Sequence, residues 1–322
     1  MVLDGLLISG GFVLLVSGGE ALVRGASGIA LYARVTPTVV GLTVVAAGTS
    51  MPELVVSVQA ALANSPGLTV GNVVGSNIFN IAAILGITAL VRPLRVRGNA
   101  VRLEWPVMTL AAFQLHLLAR DGAVDRLEGG FLAGALVAFV AYAVWVGRTA
   151  TAPGEAEQYE EVATASFGRT GATALGLNLA AVAVGSGLLA GGSTALVGGA
   201  TSLARGLGVS DAIIGLTVVA AGTSTPELVT SLTAARRGQD DISVGNAIGS
   251  NIFNVLGIVG CTALIRPLTV PNEILVRDNW WMIGASLLLF PLMKSGLRIR
   301  RLEGALLFGL FATYMTLLVL SA

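Results

Sequence analysis

GLTVVAAGTSMPEL, running from Gly41 to Leu54, returns as GLTVVAAGTSTPEL at Gly215 to Leu228, with Met51 replaced by Thr225 and every other position kept at an offset of 174. Each copy lies in an apolar run long enough to cross a bilayer, yet carries a proline and a carboxylate near its middle. Proline removes a backbone donor and clashes with the carbonyl four residues earlier, so Pro52 loosens the region of Gly48 and Pro226 that of Gly222. Irregular backbone at membrane depth survives only where it is buried in protein or lines a wet cavity. Glu53 and Glu227 follow the prolines directly, and an ionisable group at that depth is a functional candidate.

The repeat extends outward from this motif. GNVVGSNIFN at Gly71 to Asn80 matches GNAIGSNIFN at Gly245 to Asn254, again at 174. Arg92-Pro93-Leu94 matches Arg266-Pro267-Leu268, and after a one-residue slip Arg126-Leu127-Glu128-Gly129 matches Arg301-Leu302-Glu303-Gly304. The chain therefore reads as a first repeat over 1–147, a linker over 148–168 and a second repeat over 169–322.

Composition sets the class. Of 322 residues 54% are hydrophobic and 11% charged, and the mean hydropathy is +0.83. Soluble domains carry about 25% charge, so this is an integral membrane protein. The 42 glycines offer small surfaces for close helix approach. A net charge of +1 gives no basic patch for nucleic acid. Cys261 and His116 are each the sole residue of their kind, which removes the raw material for a Cys/His metal site or nucleophilic pair; Cys261 reads as a small core residue. The opening segment has Asp4 and no basic start, and reads as a retained helix.

A span of about 20 apolar residues places ten helices near 5–31, 37–62, 69–91, 103–119, 127–147, 169–204, 211–235, 243–265, 275–293 and 302–320. The expected fold is an all-α polytopic membrane protein of ten transmembrane helices in two five-helix repeats. Five is odd, so the second repeat enters from the opposite side, giving inverted topology with a substrate site near the midplane. With the N-terminus outside, the inner connections collect fourteen of the nineteen basic residues and the outer ones five: Arg120, Arg126, Arg205, Arg266 and Arg277. That asymmetry places both termini outside and the linker in the cytoplasm. Trp105, Trp145, Trp280 and Trp281 fall near helix ends, where interfacial tryptophans are expected.

Asn72, Ser76 and Asn80 share a helix face, as do Asn246, Ser250 and Asn254. Together with Glu53, Glu227, the hydroxyls of Thr49, Ser50, Thr223 and Ser224, and loosened backbone carbonyls, they form an all-oxygen set. Such sets select hard cations: calcium takes six to eight oxygens, and sodium accepts the same donor types. A proline kink, a serine bridging two helices or a close-packing glycine each has a purely structural explanation taken singly. Recurrence in both repeats favours the ion site. Glu20 instead precedes Arg24 by four residues and reads as a structural ion pair, and His116 as structural.

At these motifs the sequence resembles the cation/calcium exchanger superfamily, specifically its prokaryotic sodium/calcium antiporters, across nearly the whole chain. The resemblance implies a plasma-membrane, multi-pass secondary antiporter, not an enzyme, that moves calcium against sodium by alternating access. It implies calcium ligands at Glu53, Glu227 and the main-chain carbonyls of Thr49 and Thr223. Sodium ligands are implied at Ala46, Ser50, Ser76, Asn80, Ala220, Ser224, Ser250 and Asn254, with the two glutamates shared, and helices one and six are implied to slide together. No cofactor beyond the transported calcium and sodium, and no obligatory protein partner, is expected. Several members carry aspartate where Asn254 stands, which bears on stoichiometry and potassium dependence. The short linker lacks the calcium-sensing domains of animal exchangers. Proton-coupled or potassium-dependent exchange is the alternative; an intramembrane hydrolase lacks a nucleophile with a base or an aspartate pair, and a passive channel fits broken helices in a repeat less well.

Overall fold

The computed structural model describes residues 2–33, 35–63, 66–98, 100–149, 172–207 and 220–320. It is all-helical but for four two-residue strands. Helix α1 (Val2–Ala33) is followed by a broken span, α2 (Pro37–Thr49) and α3 (Met51–Leu62), bent by 47°. Then come α4 (Gly67–Val91), β1 (Leu94–Arg95), α5 (Trp105–Leu118), β2 (Ala123–Val124) and α6 (Arg126–Thr149). The second repeat supplies α7 (Ala172–Gly206), the broken pair α8 (Ala220–Thr223) and α9 (Thr225–Arg236), and α10 (Asp240–Ile265). It ends with β3 (Leu268–Thr269), α11 (Asn279–Lys294), β4 (Arg298–Ile299) and α12 (Arg301–Leu320). Six helices are long and apolar enough to cross a membrane, seven if the bent α2–α3 pair counts as one span. The first nine residues of the seventh expected helix, 211–219, and linker residues 150–168 lie outside the described residues.

The prolines act as helix starters. Pro52 and Pro226 sit in the first turn of α3 and α9, where a missing N–H costs nothing. Ser50 (φ −84°, ψ 8°) and Ser224 (φ −91°, ψ 8°) form the breaks just before them. The same clash that forbids proline inside a helix thus fixes where each span opens.

Glycine decides which helices touch. On α1 a Cβ at Gly11 would lie 2.8 Å from Gly192 O, at Gly18 2.8 Å from Gly185 O, and at Gly25 2.6 Å from Asn178 O. The partner number falls as the α1 number rises, so α1 and α7 pack antiparallel at backbone contact. Gly11, Gly18 and Gly25 on α1 recur at heptad spacing, the period that keeps one helix face against a partner helix. Gly86 of α4 meets Gly304 O and Phe308 N of α12, while Gly129 of α6 meets Gly260 O of α10. The last helix of each repeat therefore packs on the third helix of the other.

The strands follow the same exchange. β1 pairs antiparallel with β4, Leu94 opposite Ile299, and β2 with β3, Val124 opposite Leu268. Helices α4 and α10 form the centre, with 83% and 78% of their apolar windows buried, against 33% for α1 and 22% for α7. Leu3, Leu6, Phe12 and Val13 on α1 and Leu302, Leu306 and Leu320 on α12 are exposed, the apolar belt expected of a chain surrounded by lipid.

Two expectations change at this level. Cys261 is exposed and does not pack in the core, because α10 turns that side outward while its neighbour Thr262 is buried. Trp105 is not a free interfacial ring: it is half-buried, donates from Nε1 to Ser286 O at 2.6 Å and packs on Phe290. Glu20 pairs with Arg24 as expected, and also with Arg237 beyond α9, whose Nε donates to Glu20 Oε2 at 2.8 Å. His116 packs against Trp280.

Candidate functional site

Both motif glutamates are fully enclosed at the helix breaks, each 1% exposed. Each opens the first turn of the helix after its break, where the unpaired N–H groups and the helix dipole favour a carboxylate. The two are crosswise attached. Ser50, in the first break, donates to Glu227 Oε1 at 2.9 Å, and Ser224, in the second, donates to Glu53 Oε1 at 3.4 Å. Ser224 also bonds Ser76 of α4 at 3.1 Å. The second carboxylate oxygen of each, Glu53 Oε2 and Glu227 Oε2, has no hydrogen-bond partner.

The asparagines repeat this division of labour. Asn80 Nδ2 donates to Asn251 Oδ1 at 3.0 Å, and Asn254 Nδ2 donates to Asn77 Oδ1 at 3.0 Å. Their own carbonyl oxygens, Asn80 Oδ1 and Asn254 Oδ1, are buried and unpartnered, as is Ser250 Oγ. An unpartnered buried polar atom costs about 1–3 kcal/mol, so five such oxygens in the motif residues are tolerated only where something else satisfies them. Two carboxylates, two amide carbonyls and a hydroxyl are the donor chemistry of a hard cation.

The structure pairs Glu227 with Ser50, joins Glu53 and Ser76 through Ser224, and ties Asn80 and Asn254 across the two repeats. Thr49 and Thr223 are buried beside the breaks, but the Thr49 hydroxyl is committed, reaching Ala46 O at 3.3 Å and Asn246 Oδ1 at 3.2 Å. The Ala46 carbonyl also accepts from Ser50 N at 3.0 Å. Ala220 is the first residue of α8, in helical backbone. Asn246, expected on the ion face, is used up as a bridge, donating to Glu227 O and Ser231 Oγ. Asn72 likewise donates to Ser57 Oγ at 3.3 Å. Among the described residues no group of three or more His, Cys, Asp or Glu side chains could hold a metal, so any cation here relies on neutral oxygens beside the two glutamates.

Residue-by-residue reading missed three contributors. Asn77 and Asn251 donate to each other's main-chain carbonyl at 3.2 Å in both directions, and their Oδ1 atoms orient Asn254 and Asn80. They stand in SNIFN and recur at 174, so the repeat itself marked them. Ser193 of α7 donates to Gly222 O at 2.6 Å, meeting the carbonyl that Pro226 loosens.

The chain matches the sodium/calcium exchanger protein family over residues 5–145 and 177–320. The putative antiporter CaxA of Alkalimonas amylolytica is 37% identical over 313 residues, covering 96% of both chains. The sodium/calcium exchanger MaX1 of Methanosarcina acetivorans is 32% identical, also with 96% of each chain covered. The chain belongs to the sodium/calcium exchanger family. Its members are membrane transporters, not enzymes. Among solved structures, the sodium-calcium exchanger NCX_Mj soaked with zero Na+ and Ca2+ superposes with a TM-score of 0.82 at 30% identity, covering 98% of this chain and 99% of that one. The inner membrane protein YrbG of Escherichia coli is 36% identical over 322 residues, 99% of this chain and 97% of the other.

Proposed function

We propose that the protein exchanges calcium for sodium by alternating access, electrogenically, through an ion site between the two broken spans. The carrying observation is the set of orphaned oxygens. Glu53 Oε2, Glu227 Oε2, Asn80 Oδ1, Asn254 Oδ1 and Ser250 Oγ have no partner in the chain, although the opposite atom of each glutamate and asparagine is held by a residue of the other repeat. Calcium is held by the two glutamates and the main-chain carbonyls of Thr49 and Thr223. Sodium uses the same carboxylates with Ser50, Ser76, Asn80, Ser224, Ser250, Asn254 and the carbonyls of Ala46 and Ala220. Since the ions share ligands, one displaces the other, and displacement from alternate sides is exchange. The similarity to MaX1 and to NCX_Mj supports sodium as the counter-ion.

The same reading takes the chain as ten spans in two inverted repeats, both termini outside, in the cytoplasmic membrane. The fourteen-to-five distribution of basic residues supports it, as do the reciprocal contacts at an offset of 174. Calcium uptake into vesicles under separately imposed sodium, proton and potassium gradients tests the coupling. A sodium gradient alone drives uptake; uptake driven by a proton gradient and indifferent to sodium overturns the reading.

A further inference from the structure

Exchanging the roles of two inverted repeats turns a carrier open to one face into one open to the other. A contact made by one repeat and not by its counterpart therefore belongs to one of the two states alone. Helix α1 makes such a contact with α9: a Cβ at Gly19 would come within 3.2 Å of Val229 Cγ1 and 3.5 Å of Thr233 Oγ1. The matching position on α7, at an offset of 174, is Ser193, whose hydroxyl instead donates to Gly222 O at 2.6 Å. The face of α3 that matches the covered face of α9 is open. Met51 and Val55 are 44% and 48% exposed and Gln59 is exposed, whereas Thr225, Val229 and Thr233 are half-buried.

Charge fastens the end of the α1–α9 contact that lies away from the break. Arg237 Nε donates to Glu20 Oε2 at 2.8 Å, and Arg237 Nη2 pairs with Glu20 Oε1. Just beyond, Gln239 Nε2 donates to Ser27 Oγ at 3.0 Å. The counterparts of Glu20 and Arg237 are Thr194 and Ala63, which cannot form an ion pair. Thr194 bonds within its own helix, to Ala190 O, and Thr201, the counterpart of Ser27, has a buried hydroxyl without a partner. So α7 does not make on α3 the ties that α1 makes on α9. In the opposite state the charged tie would have no equivalent.

We propose that Arg237 and Glu20 are positioning residues that form a one-sided latch, holding α1 over α9 and weighting the carrier toward the state in which α3 is uncovered. The latch rests on the alternating-access reading and its topology, under which α9 runs to the inner face and α3 to the outer, so the favoured state is open outward. Thr194→Cys with Ala63→Cys, in a Cys261→Ser background of the purified full chain, reports the opposite state. There α7 covers α3, and these positions meet as Glu20 and Arg237 do here. The measurement is the rate of disulfide formation between them at a fixed oxidant concentration. Adding Arg237→Gln is expected to raise that rate about fivefold, the upper end of what a half-exposed ion pair contributes. Arg237→Lys keeps the charge, and Arg24→Gln removes a partner of Glu20 that lies within α1 itself; both should stay near the parent rate. An unchanged rate with Arg237→Gln, or no disulfide in a parent that exchanges ions, overturns the latch; Glu20→Gln decides if Arg237→Gln does not fold. The disulfide forms without transport, so a chain that exchanges other ions and still shows the fivefold rise would overturn the calcium-for-sodium reading and keep the latch.

Discussion

Each motif glutamate gives one oxygen to a serine of the opposite repeat and keeps the other unpaired. Replacing Glu53 or Glu227 by Gln preserves shape and leaves the serine bonds an acceptor, but a divalent ion then meets one carboxylate. Leaving a desolvated charge short of its partner costs about 3–5 kcal/mol, which at about 1.4 kcal/mol per tenfold is a loss of roughly a hundredfold or more in calcium affinity. Each variant should insert at wild-type level and show near-zero calcium uptake in vesicles; near-normal uptake by either would remove the glutamates from the cage. Asn77→Ala and Asn251→Ala act one step away. Each removes the acceptor that orients Asn254 or Asn80 and strands a main-chain carbonyl, a cost of about 1–3 kcal/mol. The expected result is a raised half-saturating ion concentration with transport retained at saturation, and a loss in maximal rate alone would speak against orientation. The glutamates and the serines at the breaks were legible because the repeat doubles them beside a helix-breaking proline. Asn77 and Asn251 were not, because a face drawn every four residues selects Asn72, Ser76 and Asn80 and passes over a side chain that crosses to the sister helix.

At the scale of elements, the breaks were readable and the seams were not. Proline chemistry placed the openings near Gly48 and Gly222 from sequence alone, and the structure puts them two residues further on, at Ser50 and Ser224. The π turns at Gly41–Val45, Phe79–Ile84 and Phe253–Val259 carry no comparable sequence signal, although such turns gather at functional sites and these flank the ion residues. Glycine abundance announced close packing without saying where. The α1–α7 seam now makes a paired test. Gly18→Leu forces a Cβ to within 2.8 Å of Gly185 O and 2.9 Å of Leu189 N, whereas Gly5 has nothing within 4 Å of the added carbon. Backbone atoms cannot rotate away, so Gly18→Leu should lower the thermal midpoint and abolish exchange while Gly5→Leu does neither. Equal behaviour of the two variants would show that α1 and α7 do not work as a clamped pair.

Among the described residues, side-chain hydrogen bonds join that clamped pair to the rest of the molecule at Glu20 with Arg237, Gln239 with Ser27, and Ser193 with Gly222 O. The central helices, by contrast, are interlocked by reciprocal asparagines, glycine contacts and two strand pairs that each join one repeat to the other. If α1 and α7 slide together over the site, as the resemblance implies, these ties are among the polar contacts that must exchange. What such sliding carries is set by charge. With both glutamates ionised, one bound calcium brings the site to zero, and three bound sodium ions bring it to plus one. A cycle of three sodium for one calcium therefore moves one net charge. The membrane potential acts on that charge with about 2.3 kcal/mol per 100 mV, a shift of roughly fiftyfold in the calcium gradient that a fixed sodium gradient sustains. Vesicles clamped with potassium and valinomycin at zero and at 100 mV inside-negative should thus hold calcium ratios that differ by about that factor. The direction is also fixed: inside-negative potential should favour sodium entry and calcium exit. Equal ratios at the two potentials would mean two sodium ions per calcium, and would leave Asn254 a structural amide with no third sodium beside it.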